Sequence, residues 1–161
     1  MISQFCDWLE ATPVSQTFQA LTWFVPLVQT VHILSIAIVM TSVGTLDFKL
    51  LGITGRAQPL SAMVAGFMPW IWSALAILLI TGALLTVTEP SRELLNLAFR
   101  VKMLMVIAMA VILLFLQRRL RRDPDYWGQS PRRRGAARAL GATSLLLVVC
   151  IIIAGRWIAY I

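Results

Sequence analysis

The chain has 161 residues, of which 59% are hydrophobic and 13% charged, with a formal charge of +7 and a mean hydropathy of +0.82. Soluble domains run near half apolar and a quarter charged, so this composition excludes a water-soluble globule, and the length excludes a second large domain. The reading is an all-α integral membrane protein: one transmembrane domain over 1–161, an antiparallel four-helix bundle with a short N-terminal surface helix.

Residues 1–19 carry Asp7 and Glu10 but no Lys or Arg. A cleavable signal opens on a basic segment, so this stretch reads as retained. Ile2, Phe5, Cys6 and Leu9 recur at helical spacing as far as Thr12-Pro13, which predicts a short amphipathic helix on the membrane surface.

The first span is expected over about 21–46. Gln29, His32 and Ser35 follow at i, i+3 and i+6 and share a helix face, while Pro26 is expected to bend the outer third. Eleven residues from Leu21 put His32 about 16 Å deep, near the midplane of a hydrocarbon core about 30 Å thick. Intramembrane ionisable groups are costly, and His32, the one histidine of the chain, is the deepest of them. Its imidazole can donate a hydrogen bond to a neighbouring helix, ligate haem iron or copper, or relay a proton. A haem held here needs a methionine as second ligand, available at Met40 and at Met103, Met105 and Met109, an open coordination position, or a histidine from another subunit. Copper(I) would suit His32 with Met40, since soft thioethers select it, and Met103, Met105 and Met109 offer the same chemistry.

The second span is expected over 69–87, after a loop with a short surface helix near Leu60 to Gly66. The third follows over 101–116 and the fourth over 139–160, each long enough to cross if charged ends snorkel. Gly135, Ala139 and Thr143, with Ala137 and Gly141, put small residues four apart, which allows close helix approach. Lys102 opens the third span, and Arg156 interrupts the apolar end of the fourth. Arg156 is expected to reach headgroups or to pair with Glu89 or Glu93, and with Lys102 it could hold a haem propionate or an anionic headgroup.

Basic residues set the orientation. The loop 117–138 has eight arginines, and Lys49 and Arg56 make ten on that side, against Arg92, Arg100, Lys102 and Arg156 on the other. The positive-inside rule makes the former side cytoplasmic and both termini periplasmic. These clusters flank spans, so their expected partners are membrane lipids and not nucleic acid. Trp8, Trp23, Trp157 and Tyr160 fall at the outer boundary and Trp70, Trp72, Tyr126 and Trp127 at the inner one. Cys6 and Cys150 lie at different depths, too far apart for a disulfide.

The runs Trp8-Leu9-Glu10-Ala11-Thr12-Pro13, Val31-His32-Ile33-Leu34, Gly44-Thr45-Leu46-Asp47-Phe48-Lys49-Leu50-Leu51-Gly52, Pro69-Trp70, Thr81-Gly82, Ala98-Phe99-Arg100-Val101-Lys102 and Ala154-Gly155-Arg156-Trp157-Ile158-Ala159 cover nearly the whole chain. In them it resembles an uncharacterised family of small bacterial four-helix inner-membrane proteins, a domain of unknown function. More distantly it is similar to copper-resistance D-like proteins and HemJ-type protoporphyrinogen oxidases. The resemblance implies an early intramembrane histidine paired with a basic residue opening a later span, which maps onto His32 and Lys102. A second histidine often closes the third span in those relatives; this chain has Gln117 there.

No hydrolase, metalloprotease, phosphate-loop or dinucleotide motif occurs, so no catalytic activity of its own is expected. Three functions are expected, in this order. The first is a small membrane subunit that anchors or supports a larger complex, one handling electrons among the possibilities, with protein partners or further copies of itself. The second is a haem b or quinone site using His32, Lys102, Arg156 and Gln29. The third is copper handling by His32 and Met40.

Overall fold

Thr12 ends one helix and starts the next. Its hydroxyl accepts from Ser15 N at 3.4 Å, and Pro13 stands at the first helical position, where a missing N–H costs nothing. The computed structural model describes residues 2–54 and 58–157. Arg56, Tyr160 and the Ile158-Ala159 pair lie outside the described residues. The helices are α1 (Ile2–Glu10), α2 (Pro13–Ala20), α3 (Phe24–Leu51), α4 (Leu60–Thr88), α5 (Pro90–Leu94), α6 (Leu97–Arg122) and α7 (Pro131–Trp157). Among the described residues all regular structure is helical.

Helices α3, α4, α6 and α7 are long and apolar enough to cross a membrane. At 1.5 Å per residue they span roughly 39–43 Å, the thickness of a bilayer with its headgroups. Every expected span is longer in the structure, because sequence hydropathy stops at the first charges while backbone hydrogen bonding continues. The surface helix expected near Leu60 is the first two turns of α4, which runs through Pro69 without ending. Trp70 and Trp72 consequently stand ten and twelve residues inside α4, not at its boundary. Pro26 falls in the first turn of α3, where its missing N–H has no intrahelical partner to lose, so the expected bend has no cause. Gly52 ends α3 with φ 81°, a left-handed cap that lets Ile53 N reach Phe48 O at 3.0 Å.

The long helices pack in the cyclic order α4, α3, α7, α6, with α6 touching α4 again. Val43, Leu46, Leu50, Val64, Met68, Ile71, Leu113 and Leu116 fill the centre. The closest approach is between α3 and α7: a Cβ on Gly141 would lie 2.9 Å from Leu50 Cβ and 3.1 Å from Asp47 O. The outer apolar side chains, such as Leu79, Leu104 and Leu146, are exposed.

The short helices serve the end of α4. The last carbonyls of a helix lack intrahelical donors, and here Ser15 Oγ donates to Val87 O at 2.8 Å and Gln19 Nε2 to Thr88 O at 2.8 Å. Cys6, fully buried, directs its thiol at Pro90 O, 3.7 Å away. Glu10 Oε1 accepts from Ser91 N at 3.3 Å at the start of α5.

Candidate functional site

His32 lies eight residues into α3, about 12 Å from its start, and Thr81 lies seven residues before the end of α4. The antiparallel run of these neighbours brings His32 Nδ1 to 2.7 Å from Thr81 Oγ1. That hydroxyl has one hydrogen, and it donates it to Ile77 O at 2.7 Å. Towards the imidazole it therefore accepts, so Nδ1 carries the ring hydrogen and Nε2 keeps its lone pair. Thr81 is 6% exposed, whereas His32 is half-buried and its Nε2 has no partner among the described residues. The ring lies against Gly82, where a Cβ would stand 3.6 Å from His32 Cε1, ordinary van der Waals contact.

Lys102, half-buried in the second turn of α6, reaches this end from the other side. Its Nζ lies 3.4 Å from where a Cβ on Gly155 of α7 would stand. Its charge is within electrostatic reach of His32 and of Glu93. Glu93 is outside the spanning helices; burial, and to a smaller extent the neighbouring Glu89, push its carboxyl above the ordinary value against the pull of Lys102 and Arg92. Glu89 pairs with Arg92 at 2.7 Å. Arg156 itself is exposed beside Gly155.

Other expected members of the site are elsewhere. Gln29 is exposed while Ser35 is 3% exposed and bonded back to Val31 O at 2.9 Å, so the stripe Gln29, His32, Ser35 wraps from the outer surface of α3 to its packed side. Met40 is 39% exposed and eight residues from His32, about 12 Å along the same helix, too far to share a metal ion with it. Among the described residues no three His, Cys, Asp or Glu side chains gather to hold a metal. Gln117 accepts from Trp72 Nε1 at 3.1 Å; fifteen residues, about 22 Å of helix, separate it from Lys102.

Asp47, one residue past the end of the span expected over 21–46, is 2% exposed. It hydrogen-bonds Ser144 near the middle of α7, where the Ser144 hydroxyl also meets Met109 Sδ at 3.4 Å. Its Oδ2 has no partner. The signal was present in the spacing, since Ser35, Ser42, Leu46 and Asp47 belong to one side of α3 whose other members are Val43 and Leu50.

No curated protein and no solved structure matches the chain. A family of unknown function (DUF6644) matches over residues 5–161, and the chain belongs to that family.

Proposed function

We propose that the protein is a small multi-pass subunit that supports a larger assembly in a bacterial inner membrane, inserted as an antiparallel four-helix bundle with both termini periplasmic. His32 is the group it offers to that assembly. One observation carries this reading: a half-buried imidazole, its Nδ1 hydrogen committed to Thr81, leaves Nε2 unpartnered in an apolar setting. A polar atom in hydrocarbon without a partner is costly, so a neighbouring protein or a bound group is expected to complete it. Lipids and a protein partner, or a second copy, are the partners; nucleic acid is not.

The nearness of Lys102 favours one second reading, a haem b or quinone site. Nε2 would ligate iron or accept from a quinol hydroxyl, and Lys102 would neutralise a haem carboxylate; such a group would supply one-electron chemistry. With one histidine in the chain, a second histidine ligand would come from the partner. Copper handling draws support only from the resemblance to copper-resistance D-like proteins, because Met40 stands apart.

The test is gentle purification of the native protein, its visible spectrum and metal content, and identification of what accompanies it. A stoichiometric membrane partner, released in His32→Ala, is the expected result. A colourless, metal-free monomer without companions overturns both readings, and haem retained by His32→Ala overturns the ligand assignment.

A further inference from the structure

At the opposite end of the molecule, where α3 stops and α7 begins, the helices leave a cavity of about 190 Å³ lined by Lys49, Gly52, Leu60, Trp127, Arg134 and Arg138. We propose that this cleft binds a phosphate-bearing anion. None of its lining residues is acidic. Arg134 and Arg138 stand one turn apart on one face of α7, and Lys49 projects from the last turn of α3, whose carbonyl end favours cations. The Arg138 guanidinium is steered by the left-handed cap: it lies 3.8 Å from where a Cβ on Gly52 would be.

A second observation is independent of charge. Trp127 lines the cavity, is 8% exposed, and its indole Nε1 has no hydrogen-bond partner. A buried N–H without an acceptor is rare in folded proteins and points to a missing one. Other basic side chains nearby are engaged differently: Arg119 lies over Phe115 and Tyr126 at 5.2 and 5.3 Å, and Arg133 covers Tyr126 at 4.4 Å. Arg134 and Arg138 remain exposed at the cleft. Three cations and one neutral N–H donor around a small space match a tetrahedral oxyanion better than a planar carboxylate. The volume lies below the roughly 300 Å³ at which pockets for whole small molecules begin. It takes a phosphate group with its first substituent, from a lipid headgroup or from a free phosphate.

Native mass spectrometry of the full chain in phosphate-free detergent tests this with phosphatidylglycerol, diacylglycerol and inorganic phosphate as probes. Wild type is expected to retain one phosphatidylglycerol and no diacylglycerol. Arg134→Gln/Arg138→Gln should weaken retention roughly tenfold or more, while Arg121→Gln/Arg122→Gln, with the same net charge, should not. Trp127→Phe keeps the ring, loses the N–H, and should weaken binding about fivefold at unchanged melting temperature. Retention of inorganic phosphate without phosphatidylglycerol, with the same dependence on Arg134 and Arg138, assigns the site to a soluble anion. Equal loss in the two double variants, or retention of neither probe by wild type, overturns the site; an unaffected Trp127→Phe removes the indole from it.

Discussion

Replacing Gly141 with alanine tests the tightest contact in the molecule. The added methyl would sit 2.9 Å from Leu50 Cβ and 3.1 Å from Asp47 O, against an optimal separation between carbon atoms of about 3.5–4.0 Å. Neither neighbour is the free end of a flexible side chain, so α3 and α7 must separate by roughly 0.6–1 Å. Overpacking of this kind costs about 1–3 kcal/mol. For a chain of this size each kcal/mol corresponds to about 2–4 °C, so Gly141→Ala should melt roughly 2–12 °C below wild type. The assay is far-ultraviolet circular dichroism of detergent-solubilised protein at one fixed scan rate, with Gly44→Ala as control. A Cβ on Gly44 meets nothing within 4 Å, so that variant should be neutral or slightly stabilised by its better helix propensity. If the two variants melt within about 1 °C of each other, the close α3–α7 approach is refuted.

Thr81→Val keeps the shape and removes the acceptor for His32 Nδ1, which should cost about 1–3 kcal/mol in melting experiments and shift the nitrogen-15 resonances of the ring as its hydrogen is freed to move; unchanged resonances would contradict the Thr81 contact. Asp47→Asn removes a potential charge whose Oδ2 has no donor and should be tolerated within about 1 kcal/mol, whereas Asp47→Lys, placing a cation among Leu46, Leu50 and Ser144, should fail to accumulate. Glu93 holds its proton more tightly folded than unfolded because of burial. The folded state then binds more protons between the ordinary carboxylate value and the raised one, and stability falls as pH rises through that window. Glu93→Gln should flatten that decline in melting temperature against pH, and a wild-type curve that rises there would reverse the sign.

Apolar run length alone locates the four helices that are long and apolar enough to cross a membrane, because roughly 20 consecutive hydrophobic residues leave little alternative. Their ends were not legible. Leu60 to Gly66 and Pro131 to Arg138 continue the helices by backbone hydrogen bonding, which hydropathy does not register, and Pro69 sits inside α4 without ending it. Helices α2 and α5 were missed because each is short, although Thr12-Pro13 and Glu89-Pro90 both have the helix-opening proline. His32 stands out in the sequence as an ionisable residue within a long apolar run, but its partner Thr81 does not, since contact between residues 49 positions apart is decided by helix rotation. Asp47 falls just past the apolar run that marks the first span; only the overhang of α7 past the end of α3 shows that it is enclosed.

The anchoring of α1 and α2 has a consequence for how the chain is made. Ser15 fastens to a residue 72 positions later, and Cys6 to one 84 positions later. Helices α1 and α2 thus lack these partners until α4 and α5 have been synthesised. Until then the groups that α4 and α5 will cover stay without those partners, so docking around the end of α4 runs opposite to the order of translation.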